Sequence, residues 1–180
     1  MGNFRTILFG SSIRKVMRWQ RTGAPADRPA AVRAEWDGDP RLRKTDFPSG
    51  YPGAPVFSRR VADLLKGDLS TAGSFVPVLF DDADAEEYFL YLVEEVVDCL
   101  DTRRSSKPKK AGGQIKNAVF HVDALPVHLP AFRVPEYQGG IYWNGWAVDR
   151  VRELLGDDLE VRLVWSEDPT LTPHHNPMGF

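Results

Sequence analysis

The sequence predicts an α+β fold in a single domain, with a mainly antiparallel sheet and two principal helices. Two segments, near 58–66 and 144–155, place apolar residues at helical spacing between recognisable start and stop residues. Several short β-branched and aromatic runs are separated by Gly and Pro instead of by helix-length spacers. At 180 residues, 42% hydrophobic and 27% charged, the chain is long enough for one sizeable core.

In chain order, Phe4 to Phe9 and Val16 to Trp19 are short apolar pieces around a Gly10-Ser11-Ser12 turn, which suggests a hairpin or an edge addition. Residues 23–55 hold six prolines and four glycines and read as a loop that wraps the body. Trp36, Phe47 and Tyr51 are its candidate anchors. Residues 1–45 therefore form a basic, Pro-rich extension packed on a body spanning 46–166. Residues 167–180 form a proline-containing, loosely ordered tail.

In Ser58 to Lys66, Ser58 can cap the helix, Val61, Leu64 and Leu65 share a face, and Gly67 can end it. Phe75 to Phe80 is a strand, and Pro77 argues for an edge position or a bulge. Residues 84–100 are ambiguous. Tyr88, Phe89, Leu92, Val93, Val96, Val97 and Leu100 recur at helical spacing, and Asp84 with Glu87 resembles a capping box, but the residue types favour strands. Ile115 to Val122, Ala131 to Val134, Ile141 to Trp143 and the alternating Leu159 to Trp165 are further strands, with Gly139-Gly140 separating two of them. Asn144 to Leu155 is the clearest helix. It has Asn144 as N-cap, Gly156 as stop, and Ala147, Val148, Val151, Leu154 and Leu155 as its buried stripe.

Charge is unevenly placed. Residues 1–44 carry ten Lys/Arg against four Asp/Glu, residues 46–101 three against twelve, and residues 102–110 add five cations, within a net charge of −2. The plain interpretation is a solvated surface. The sharper one is an acidic face, Asp81, Asp82, Asp84, Glu86 and Glu87, that meets a basic partner. The basic run Arg103, Arg104, Lys107, Lys109 and Lys110 has no interleaved aromatics, so sequence-specific nucleic-acid readout is not expected.

No cofactor or metal is expected. The four histidines, His121, His128, His174 and His175, lack workable ligand spacing. Asp81, Asp82 and Asp84 lack the glycine and distal Glu of a calcium loop. His121 reads as a partly buried, hydrogen-bonded strand residue. The lone Cys99, beside Asp98, reads as a small buried hydrophobe in a reducing compartment. No secretory layout or membrane-length apolar run is visible, and a myristoylation pattern at Gly2 and Thr6 is only partial.

The order of Pro55-x-Phe57-Ser58, a helix with Leu64-Leu65, FVPVLF, and YFLYLVEEVVDCLD with Ser105 is distinctive. AFRV and IYWNGWAVDRVRELL follow. This order resembles a family of bacterial immunity proteins from polymorphic-toxin loci. The family's middle motif, Val-Asp-x-Leu/Ile-Asp with a later Ser, corresponds to Val97, Asp98, Leu100, Asp101 and Ser105, and Phe132-Arg133 matches a later Phe-Arg. The likeness covers roughly residues 46–165. The first 44 residues lie outside it, and LEVRLVW replaces a glycine-containing final strand.

The resemblance implies two strands, 88–92 and 96–100, in place of one helix. It also implies a cytoplasmic protein that binds and blocks a cognate protein toxin, with Asp98, Asp101 and Ser105 structural. Tyr137, Tyr142 and Trp143 are candidate interface anchors, whereas Trp146 is expected to fill the core. Two competing classes remain: an enzyme using a carboxylate pair at Asp98 and Asp101, and a homo-oligomeric structural subunit.

Overall fold

The computed structural model describes residues 4–48, 51, 53–81, 87–109 and 113–177. It has three helices of equal length: α1 (Ser12–Thr22), α2 (Arg59–Leu69) and α3 (Gly145–Leu155). The strands are β1 (Phe4–Leu8), β2 (Val32–Arg33), β3 (Glu35–Asp37), β4 (Arg43–Lys44), β5 (Val56–Ser58), β6 (Gly73–Leu79), β7 (Tyr88–Val93), β8 (Ala131–Val134) and β9 (Tyr137–Trp143). They form sheets ordered β3-β1-β4, β2-β6-β7-β5 and β8-β9. Only β1/β4 and β2/β6 are parallel. The result is one α+β domain with mostly antiparallel pairing, as the residue patterns predict.

The N-terminal hairpin is corrected to a strand followed by a helix. Ile13, Val16, Trp19 and Gln20 recur at helical spacing and turn one face inward. Gly23 adopts the left-handed conformation, φ 62°, and its amide donates to the Trp19 carbonyl, which ends α1. The N-terminal segment packs on the rest of the chain. Ile7, Phe9, Val16, Trp19, Val32 and Ala34 share one core with Val76, Val78, Tyr88, Leu90 and Leu92. Trp36 stacks on Phe80 at 5.0 Å, Phe47 packs on Phe57 at 5.2 Å, and Tyr51 meets Phe9 edge-on at 6.4 Å. All three expected anchors thus make ring contacts.

Pro77 lies in an inner strand, at a locally open position. The Leu79 carbonyl accepts from the Ala34 amide, so Pro77, two residues back, faces the same side as β2. Pairing with β2 begins only at Val78, so the missing amide costs no ladder bond. Ser58 caps α2 by accepting from the Val61 amide at 3.4 Å, but the helix runs through Gly67 and stops at Ser70.

Tyr88 to Val93 is a strand, which settles that half of the ambiguous segment against helix. Beyond it the amides of Glu94 and Glu95 both donate to the Ala72 carbonyl, and the chain leaves the sheet. The expected second strand, 96–100, is reduced to isolated bridges, Val96 with Arg133 and Leu100 with Phe120. Ile115 to Val122 forms no regular strand either: it bends at Lys116-Asn117, makes one bridge at Phe120, and enters a 3-10 turn at Val122. Leu159 to Trp165 pairs with no strand among the described residues. Leu163 is exposed while Val164 and Trp165 pack inward, so its alternation does not define a sheet face. Gly139 and Gly140 lie inside β9, and the β8–β9 turn falls at Pro135-Glu136.

Candidate functional site

The polar residues of the Val-Asp-x-Leu-Asp…Ser motif mount a loop. Asp101, largely buried, accepts from the amides of Arg103 at 3.0 Å and Arg104 at 3.1 Å. The Ser105 hydroxyl accepts from the Val119 amide at 2.9 Å and lies 3.2 Å from the Val119 carbonyl. Burial raises the Asp101 carboxyl pKa, but the two amides and the positive fields of His121 and Arg104 outweigh it, leaving it below the ordinary range. Asp98 is exposed and does not figure in this balance. Between Asp98 and Asp101, Cys99 is fully buried, and burial first, then Asp98 and Glu136, push its thiol up to about 11.

The two described carboxylates of the acidic face are met from within. Asp81 pairs with Arg33 at 2.9 Å and Glu87 faces Lys44 at 3.9 Å. Asp82, Asp84 and Glu86 lie outside the described residues, as does Asp84's share of the capping box. Next to Glu87 an open depression of about 250 Å³ is lined by Asp46, Ser58, Arg59, Arg60, Glu87 and Tyr88. Burial raises the Asp46 carboxyl pKa, yet hydrogen bonds from Arg60 and Ser58 bring it below its usual value. Burial likewise pushes the Tyr88 phenol up to about 12.

The aromatic candidates separate. Tyr142 is buried between Phe120 and Phe132, with ring centroids 5.1 and 5.8 Å away, so it is a core residue and not a surface anchor. Trp143 is half-buried, 5.7 Å from Tyr91. The half-buried Tyr137 ring lies over Gly139 and Gly140 and against Gly113. Trp146, expected in the core, is 43% exposed, and its indole N–H donates to the Val127 carbonyl at 3.1 Å. Asn144 does not cap α3 with its side chain. Its amide group instead donates to the carbonyls of Pro126 and Leu129, fixing the loop beside Trp146.

Arg133 is the residue that sequence reasoning underrates. It is 2% exposed, and no carboxylate pairs with it among the described residues. Its guanidinium donates to the carbonyls of Gln20 at 2.8 Å and of Gln138 and Glu94 at 3.3 Å, and lies 5.0 Å from the Trp19 ring. The Gln20 carbonyl belongs to the last turn of α1, where a cation also meets the negative end of the helix dipole. Burial lowers the Arg133 pKa, and the Glu94 charge opposes this. The sequence shows Phe132-Arg133 in a short strand but not the partners of Arg133: Gln138 lies on the next strand, while Gln20 and Glu94 come from distant segments.

His121 is exposed, correcting its expected partial burial. His174 and His175 do not point apart, because their rings lie 4.5 Å from each other. No group of three or more His, Cys, Asp or Glu suited to a metal occurs among the described residues. Among the same residues no helix is long and apolar enough to cross a membrane. No family model matches the chain, and no curated protein matches it.

Proposed function

We propose that this chain is a cytoplasmic immunity protein that binds a cognate bacterial toxin and neutralises it by forming a stoichiometric complex. The ordered resemblance across residues 46–165 motivates the reading. The observation that carries it is how the shared motif is used: Asp101 and Ser105 commit their polar atoms to neighbouring backbone. Such a motif preserves a surface and leaves no free dyad for chemistry, which suits a binding module. An enzyme built on Asp98 and Asp101 has less support, since Asp101 is held ionised by amides and Asp98 stands apart.

The contact residues proposed for the toxin are Asp81, Asp82, Asp84, Glu86, Glu87, Tyr137 and Trp143. The test is co-expression with candidate toxin domains, those of adjoining genes first, followed by light scattering of each purified pair. Protection and a one-to-one complex are expected; cell death with no complex sinks the proposal. Reversing Asp81 and Glu87 to Lys should slow association about tenfold at low salt and change dissociation less. A rate indifferent to both the reversals and salt removes the acidic segment from the interface.

A further inference from the structure

Two separate cation-rich stretches of sequence approach β9 from its two sides, and their cations stay exposed. On one side is the outer face of α1. Arg14, Arg18 and Arg21 follow one another at helical spacing, Lys15 lies beside them, and all four are exposed. The helix contains no carboxylate. On the other side is the loop that Asp101 and Ser105 mount, with Arg103, Arg104 and Lys107 exposed.

Polar and ring contacts reach β9 from both. With its side-chain amide oriented to donate, Gln138 reaches the carbonyls of Gln20 at 2.5 Å and Arg21 at 3.2 Å, at the end of α1. The neighbouring Tyr137 ring packs on Gly139, Gly140 and Gly113, and the Gly113 amide donates to the Lys109 carbonyl at 2.8 Å. None of the seven cations named forms an ion pair among the described residues.

We propose that the outer face of α1 binds the phosphate backbone of a nucleic acid without reading its sequence, with the 103–107 loop as a second, separate contact. This goes beyond the toxin-binding reading and does not depend on it. The charge pattern selects the ligand. Long, unpaired Arg and Lys side chains presented from two mounted elements suit a regular polyanion, whose affinity comes from counterion release. A lipid surface fits less well, because the apolar face of α1, with Val16 and Trp19, is already buried in the core. An acidic protein surface would ask for matched apolar contacts, and the outer face of α1 offers only Met17, 57% exposed.

The test is fluorescence anisotropy with a labelled DNA single strand of about 20 nucleotides and, separately, a poly-glutamate peptide of equal charge, at about 50 mM salt. Micromolar binding to DNA is expected, with log affinity falling against log salt at a slope between about −3 and −5. The triple variant Arg14→Glu, Arg18→Glu, Arg21→Glu should weaken binding at least tenfold. The pair Arg103→Glu, Lys107→Glu should weaken it several-fold, with far-ultraviolet dichroism unchanged in both. Arg41→Gln, which removes a cation already paired with Asp39, should leave affinity close to wild type. No DNA binding, equal binding to poly-glutamate, or indifference to the α1 reversals each overturns the proposal.

Discussion

Two parts of the basic N-terminal segment use their charge in opposite ways. Between residues 28 and 44 all five cations find a carboxylate: Arg28 with Glu94, Arg33 with Asp81, Arg41 with Asp39, Arg43 with Asp158, and Lys44 with Glu87. On α1 none of the four does so among the described residues. The stretch from 28 to 44 contributes short strands that run beside the acidic segment, so its side chains meet opposite charge. The helix packs one face on the core and turns the other away from it, with no element opposite. A local excess of charge in sequence is therefore not a charged face. The +6 of residues 1–44 and the −9 of residues 46–101 partly cancel across the fold, and the outer face of α1 keeps its positive charge uncovered among the described residues.

The strongest way to break this contrast is at Arg133, which holds the end of α1 to the body. Arg133→Ala should cost about 3 kcal/mol or more in denaturant unfolding, since it removes a donor from three carbonyls and opens a void. Arg133→Lys should recover only part, because an ammonium cannot reproduce the fork. A loss under about 1 kcal/mol for Arg133→Ala would mean that α1 is held by Val16 and Trp19 alone.

Next comes Gly73, at the end of β6 where Arg28 meets Glu94 and Ser74. A methyl group there would lie 2.0 Å from the Leu92 carbonyl oxygen, a backbone atom that cannot swing aside. Gly73→Ala should destabilise by about 1–3 kcal/mol. Gly67→Ala supplies the control of opposite sign. It meets nothing within 4 Å, sits inside α2, and should stabilise by about 0.5–1 kcal/mol. Chemical denaturation of both variants checks the pair, and equal effects would contradict the close approach at Gly73.

A smaller effect concerns the mounted loop. The folded Asp101 carboxyl sits below its ordinary value of 3.8, so its contribution is present above that value and is lost as pH falls through the folded pKa. Asp101→Asn should lower the melting temperature by a few degrees at neutral pH, and its curve should converge on wild type in acid. Parallel melting curves from pH about 6 to 2.5 would remove the linkage.

The smallest effects are the surface pairs themselves. Arg28 and Glu94 are 37% and 41% exposed and share Ser74, while Arg33 and Asp81 are 73% and 80% exposed. Screening leaves about 0.5–1 kcal/mol of coupling for the first and about 0.2 kcal/mol or less for the second. Double-mutant cycles at low and high salt rank them, and the reverse order would show that exposure does not govern these pairs.

Local pattern carried much of the architecture. Ser58, the stripe at Val61 and Leu65, and the stripe at Ala147, Val151 and Leu155 mark α2 and α3, because capping and helical spacing are properties of neighbours in sequence. The strand character of Tyr88 to Val93 was likewise legible in its aromatic and branched residues. α1 carried the same kind of signal in Val16, Trp19 and Gly23, which a hairpin interpretation passed over. Tertiary structure alone decided the rest. Leu159 to Trp165 alternates cleanly, yet pairs with no strand among the described residues, because a ladder needs a free edge beside it. Tyr142 and Trp146 exchanged their expected places, since burial depends on what lies across from a side chain. Arg133 could enter the core only because carbonyls from residues 20, 94 and 138 meet around it. Contacts between residues a hundred positions apart leave no period and no spacing for a sequence to display.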